Sequence, residues 1–469
     1  MQAENNVLHG LHTGLESDTA KCNQKTSPII PQWDTNDASH PYNMSPWRKW
    51  VAVSTVSLGS LCVDVMAEFN CSREVATLGL SLFIWGMGTG PLVFGPLSEL
   101  YGRRVIYIAS FATFLVFLIP CAVAKNIQTL LIARFLDGFA GSAFLSVAGG
   151  TVGDIFPRHQ LATPMMVYTA SPFVGPELGP LRWTFYAMLC WAGAILLLIC
   201  FFVPETYHAL LLRRKAQELQ KQTGSLQPLA PREKVSEPLK KLILRSIYRP
   251  MMLLTLEPMC LNLCVYSAIL LGILYLFFGA FQDVFQEVYG FELWQRGLTF
   301  LGLLVGMILA VLSDSLWRSN YRRLERNHRS ISEDGSDYYP EWRLPPAGAP
   351  LVTVGLFMFS WTTYPSIHWI VPIIGSALFG AGVVLVYSGI FTFLVDAYPA
   401  YAASALAANS FARSSFGGIF PLFGTQMYDR LGIHWASCLL AFLTLAMLPF
   451  PHLFFKYGPQ IRKKSRFAA

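Results

Sequence analysis

Charge is what this chain has least of: 13% of its 469 residues are Asp, Glu, Lys or Arg, against about 25% in a soluble domain. So few charges cannot solvate a surface that meets water on every side. The dipeptide Gly-Lys never occurs, so the chain lacks the Gly-x-x-x-x-Gly-Lys-Ser/Thr loop that cradles phosphate in ATP-driven pumps. Any energy for work has to come from an ion gradient. Most of the nine cysteines lie in apolar blocks, at Cys62, Cys121, Cys190, Cys200, Cys260, Cys264 and Cys438, where a thiol behaves as a small hydrophobe. Cys260 and Cys264 are one helical turn apart, but no His or carboxylate cluster accompanies them, so neither a metal site nor a disulfide is expected. No cofactor is expected. No nucleophile–base set emerges either, which argues against an enzyme. The first 45 residues are polar and carry no apolar core of a cleaved signal peptide, so insertion is expected to begin at the first internal span.

What the chain has is apolar length. Hydrophobic residues make up 53% of it and fall into blocks of about 20, the length at which a helix crosses hydrocarbon. A strand of a membrane barrel would alternate with period two over about 10 residues, and these blocks are continuously apolar. The expected fold is therefore an all-α membrane protein, because a helix satisfies its own backbone hydrogen bonds in lipid. Twelve spans are predicted near 50–68, 77–97, 105–124, 128–150, 162–181, 183–203, 251–279, 294–313, 350–365, 369–395, 402–427 and 434–456.

An even number of spans puts both termini on one side. Of 35 basic residues, 28 then fall on the side of the termini. Arg73, Lys125, Arg182, Arg296 and Arg430 fall on the other, and Arg134 and Arg413 lie within spans. The positive-inside rule makes the terminal side cytoplasmic. The net charge of +7 is thus a property of the cytoplasmic face and its anionic lipid, not a sign of nucleic-acid binding. Asn70-Cys71-Ser72 is a glycosylation sequon in the first external loop.

Composition also divides the chain. A polar tail (1–49) precedes six spans (50–203), a charged loop (204–249), six more spans (250–456) and a basic tail (457–469). Loop 2–3 reads Ser98-Glu99-Leu100-Tyr101-Gly102-Arg103, and loop 8–9 begins Ser313-Asp314-Ser315-Leu316-Trp317-Arg318. An echo at equivalent places of two halves points to an internal repeat, and so to two bundles that rock about a central site.

Polar residues inside spans mark the chemistry. A charge at mid-bilayer costs about 3 kcal/mol on insertion scales, so Arg134 should face a cavity and a partner. Asp137, three residues on, shares its helical face. Glu257 precedes Pro258 in span 7, where a bend would turn carbonyls toward a cavity, making it a second place for a proton or cation. Asp64, Glu177, Asn262, Asn409 and Arg413 are also embedded. Tyr266, Tyr275, Tyr387 and Phe391 are placed to line an aromatic pocket of the kind that suits lipophilic cations.

One stretch carries a family resemblance. Gly95-Pro96-Leu97-Ser98-Glu99-Leu100-Tyr101-Gly102-Arg103-Arg104 resembles the loop 2–3 signature of the major facilitator superfamily, G-x-L-x-D-R-x-G-R-R/K. Gly95, Leu97, Gly102, Arg103 and Arg104 match, Glu99 stands for the aspartate, and Leu100 departs from the arginine. Arg134 to Gly138 resembles the span-4 motif R-x-x-x-G, whose arginine is implicated in proton coupling. Gly175-Pro176-Glu177-Leu178-Gly179-Pro180 is similar to the span-5 antiporter motif of drug/proton exporters. With Pro41 to Trp50, Glu74 to Gly79, Val203 to His208 and Asn409 to Phe423 added, the chain resembles the fungal twelve-span drug:proton antiporters. The resemblance implies two six-helix bundles with pseudo-two-fold symmetry, acting as a monomer at the plasma membrane. It implies proton-coupled export of a small molecule, with Arg134 in proton coupling. Read from the residues themselves, Asp137 beside Arg134 and Glu257 before Pro258 are further coupling candidates, and Glu177, Asn262, Asn409 and the four aromatics are candidates to line the cavity.

Two places depart from that pattern. Span 1 passes directly from Leu61-Cys62-Val63 to Asp64, leaving about 17 apolar residues, which at 1.5 Å each barely cross. Pro180-Leu181 runs straight into Arg182-Trp183, without the usual external loop. The alternatives are an importer or facilitator, and a transport-inactive homologue with a shortened first span.

Overall fold

The computed structural model describes residues 45, 47–51, 73–124, 126–156, 164–167, 182–208, 210–212, 214–215, 239–329, 339–398, 401–463 and 465. Asp64, Asn70, Gly175, Pro176, Glu177, Gly179 and Pro180 lie outside them, as do the shortened end of span 1 and the Pro180-Leu181 side of the second junction that departs from the family pattern. Of Glu99 the backbone is described and the side chain is not.

The first half contributes α1 (Arg73–Thr89), α2 (Pro91–Tyr101), α3 (Arg103–Val123), α4 (Ile127–Gly141), α5 (Ala143–Ile155) and α6 (Arg182–Phe202). α1 and α2 are one span. Gly90 keeps helical angles (φ −58°, ψ −39°), and Pro91 stands at the first position of α2, where its missing N–H costs nothing. α4 and α5 are likewise joined through Ser142 (φ −63°, ψ −19°). Span 2 and span 4 touch backbone to backbone. A Cβ on Gly86 would collide with the Phe135 carbonyl, and one on Gly138 with the Phe83 carbonyl.

The second half begins with α7 (Leu239–Leu256) and continues through α8 (Pro258–Tyr289), α9 (Leu293–Leu312) and α10 (Asp314–Arg329). Two short 3-10 turns, Pro340–Arg343 and Pro345–Gly348, lead to α11 (Leu351–Thr362), α12 (Ile370–Ala397), α13 (Ala402–Met447) and α14 (Pro449–Arg462). The sequence places residues 251–256 in span 7, but the structure gives them to α7. Pro258 disfavours helical angles for the residue before it, and Glu257 takes φ −111°, ψ 95°, separating the two helices. Within α13, Gly432 (φ 72°, ψ 162°) turns the chain between two helices, as spans 11 and 12 require.

Among the described residues, six helical stretches are long and apolar enough to cross a membrane: Thr77–Ser98, Arg103–Val123, Pro258–Tyr289, Gln295–Arg326, Ile370–Ala397 and Ser404–Arg462. Large apolar side chains such as Val116, Ile132, Leu197, Phe201, Leu312 and Trp435 face outward, the inverse of a water-soluble surface.

The buried apolar residues form two cores. One runs from Phe83 to Val203. The other joins Leu253 to Phe454 and takes in Met166 of the first half. In the second core Phe277 meets Phe359 at 4.8 Å and Phe379 at 5.1 Å, and Phe281 meets Phe300 at 4.9 Å. Each such pair adds about 0.5–1.5 kcal/mol beyond its area, and together they fasten α8, α9, α11 and α12.

The halves meet chiefly where α13 packs along α1 and α2. Here small residues allow contact from both sides. A Cβ on Gly88 would lie 2.5 Å from Ser414 Cβ, and one on Gly418 would lie 2.5 Å from Trp85 Nε1. Trp85 Nε1 donates to the Ser415 carbonyl at 3.4 Å.

Candidate functional site

Three constellations of polar side chains sit on this frame. The first lies at the loop 2–3 end of the first half. Gly102 holds φ 98°, and a side chain there would strike the Glu205 carboxylate. That turn presents the Arg103 and Arg104 amides to Glu205, at 2.9 and 3.3 Å. Glu205 Oε1 also accepts from the amides of Thr206 and Tyr207, both at 3.0 Å. Arg103 is buried and spends its side chain inward. Nε pairs with Asp154 Oδ2 at 3.1 Å, Nη1 donates to Ser98 Oγ at 2.6 Å, and the guanidinium lies 5.1 Å from the Tyr207 ring centre. Arg104 reaches the Cys200 carbonyl at 2.6 Å. Gly95 of the motif has no described residue against it.

The second half repeats this arrangement. Arg343 Nε pairs with Asp396 Oδ2 at 3.1 Å, and its guanidinium lies 4.3 Å from the Tyr321 ring centre. Asp314, equivalent to Glu99, pairs with Arg318 at 2.8 Å, and Glu341 with Arg462 at 3.2 Å. The sequence reading named Gly102, Arg103 and Arg104 but missed Asp154, Arg343 and Asp396. The signal was available: each acid ends the fourth span of its half.

The second constellation is the pair on α4. Arg134 and Asp137 are 7% and 1% exposed and interact electrostatically. The guanidinium lies 5.9 Å from the Phe83 ring centre on α1. Asp137 Oδ1 has no hydrogen-bond partner among the described residues.

The third gathers most of the expected cavity residues. Tyr266 and Ser267 of α8, Tyr387 and Phe391 of α12, and Asn409 of α13 converge. Tyr387 donates to the Ser267 carbonyl at 3.0 Å and Asn409 Nδ2 to Ser267 Oγ at 2.7 Å. One turn beyond Asn409, the buried Arg413 lies 5.3 Å from both the Tyr387 and the Phe391 ring centres. The cation over these rings is the protein's own. Arg413 Nε, Ser410 Oγ and Asn409 Oδ1 are buried with no hydrogen-bond partner among the described residues. The aromatic residues were legible in the sequence; that they converge on Arg413 was not, because the three helices are far apart in the chain.

The remaining residues lie apart from this group. Asn262 donates to the Pro258 carbonyl of its own helix at 2.7 Å. Tyr275 packs on Phe278 at 6.2 Å and faces Gly417 of α13. Glu257 stands at the start of α8, where Tyr398 donates to its Oε2 at 3.4 Å.

Two helical bundles with lipid-facing apolar surfaces and buried charges on either side of their seam define a polytopic membrane protein. The chain belongs to the Major Facilitator Superfamily, whose sequence profile matches residues 51–421. It is 54% identical to the efflux pump atB of Aspergillus terreus, over 98% of this chain and 94% of that one. It is 41% identical to the probable drug/proton antiporter YHK8 of Saccharomyces cerevisiae, over 91% and 87%. It is 42% identical to the multidrug transporter mdrA of Aspergillus fumigatus, over 94% and 76%. Among solved structures, the proton:xylose symporter XylE is similar in fold, with a TM-score of 0.60 at 12% identity, over 89% of this chain and 97% of that one.

Proposed function

We propose that the protein is a proton-coupled exporter of small organic molecules, working by alternating access. The observation that carries this reading is near-full-length similarity to proteins named as efflux pumps and as a drug/proton antiporter. In this reading the halves, 50–203 and 250–456, rock about the seam between α1 and α13, and substrate binds between them. Asp137, with an oxygen that no donor occupies, takes the proton, and Arg134 beside it senses the charge change. Protonation then biases the populations facing each side of the membrane. Both termini are cytoplasmic, the protein works as a monomer, and it resides in the plasma membrane.

The test is efflux of fluorescent and radiolabelled compounds from pump-deficient yeast expressing the tagged chain, with and without a protonophore. Efflux that the protonophore abolishes, and that Arg134→Ala loses at normal surface expression, is the expected result. Unchanged efflux in Arg134→Ala removes its coupling role. A surface-expressed chain that moves none of the compounds favours a transport-inactive homologue.

A further inference from the structure

The export reading leaves Arg413 unused. A guanidinium inside the membrane is costly unless it is paired, yet no described carboxylate lies within ion-pair distance of Arg413, which is 8% exposed. Its contacts with Tyr387 and Phe391 offset part of that cost, and Nε has no acceptor among the described residues. Tyr387 Oη and Asn409 Nδ2 both donate, to the Ser267 carbonyl and hydroxyl, rather than accept from Arg413. Ser410 Oγ, one residue from Asn409, is buried and has no partner among the described residues.

The site lies beside the seam. Ser414 and Ser415, the next residues on α13, touch Gly88 and Trp85 of the other half. Farther along the same helix Phe416 and Phe420, 5.6 Å apart and only partly buried, offer apolar surface.

We propose that Arg413 is the docking point for the anionic group of the substrate, so that the transported molecules are small organic acids with a planar apolar body. The carboxylate or phenolate accepts from the Arg413 guanidinium and the Ser410 hydroxyl, while Phe416 and Phe420 cover the ring. Asn409 Oδ1 accepts from a hydroxyl or amine of the substrate. A lipophilic cation is disfavoured, because the aromatic faces it would use already hold a positive charge. This inference deepens the export reading and rests on it.

The test is calorimetric binding to the purified full chain in lipid nanodiscs, with three probes of equal shape: 2-naphthoate, 2-naphthamide and 2-naphthylmethylammonium. On the wild-type chain the acid should bind about tenfold or more tightly than the amide, the increment expected of a charge-assisted hydrogen bond, and the amine most weakly. Arg413→Gln should bring the acid down to the amide, and Arg413→Lys should fall between. Equal binding of the three, no binding of any, or an acid affinity unchanged in Arg413→Gln overturns the assignment. The wild-type comparison decides even where a variant fails to fold. The export reading fails separately, through absence of protonophore-sensitive efflux while the acid still binds. Efflux of the amine that exceeds efflux of the acid overturns the anion assignment and leaves export standing.

Discussion

Arg343 Nε lies 3.1 Å from Asp396 Oδ2, as Arg103 Nε lies from Asp154 Oδ2 in the other half. In each half the acid ends the fourth span; Arg103 begins the third span of its half, whereas Arg343 closes a 3-10 turn a few residues before it. Each arginine also lies against a tyrosine ring, Tyr321 or Tyr207. The two differ in burial: the Asp396 side chain is 1% exposed and that of Asp154 is 18%.

That difference sets unequal costs. Removing one partner of a buried pair leaves a bare charge and destabilises by about 3–5 kcal/mol. Asp396→Ala should reach that range, and Asp154→Ala should fall below it, since water can reach the stranded Arg103. Replacing both Arg343 and Asp396 by apolar residues should recover much of the loss. Thermal unfolding of the purified variants in detergent gives the ranking, and equal losses at the two sites would remove burial as its cause.

The sequence makes the repeat visible only where it is written in neighbouring residues. Ser98-Glu99 and Ser313-Asp314 announce it; the Arg343–Asp396 pair, 53 positions apart, does not. The apolar blocks locate the spans because lipid imposes a minimum length. They misplace the start of span 7 because residues 251–256 are nearly as apolar as the helix that follows. Pro258 was read as a bend, and it is a break, with Glu257 in an extended conformation. Arg134 and Asp137 were legible as a pair because three residues on one helix fix their proximity. Arg413 with Tyr387 and Phe391 was not, because helix packing rather than spacing unites them.

Asp137 and Glu257 should behave differently on losing their charge. Asp137 is deep in α4 with an oxygen that no described donor occupies, whereas Glu257 stands at the start of α8 beside Tyr398. Asp137→Asn should abolish protonophore-sensitive efflux at unchanged surface expression. Glu257→Gln keeps a group that can accept from Tyr398 and should retain that efflux. Loss of coupling in Glu257→Gln with Asp137→Asn still active would reverse the two roles.

The seam between α1 and α13 gives the most local prediction. A methyl group on Gly88 would lie 2.5 Å from Ser414 Cβ and 3.1 Å from its Oγ, both within van der Waals contact, while its third neighbour, the Ser410 carbonyl, is at an ordinary 3.7 Å. The obstacle is therefore one side chain. Gly88→Ala should force the halves apart and lower efflux several-fold, because packed interfaces tolerate little added volume. Ser414→Gly deletes both clashing atoms, so the double variant Gly88→Ala/Ser414→Gly should regain most of the lost rate. Efflux measured alongside surface expression separates this from misfolding. A double variant no better than Gly88→Ala would mean that the α1–α13 contact in this conformation does not limit transport.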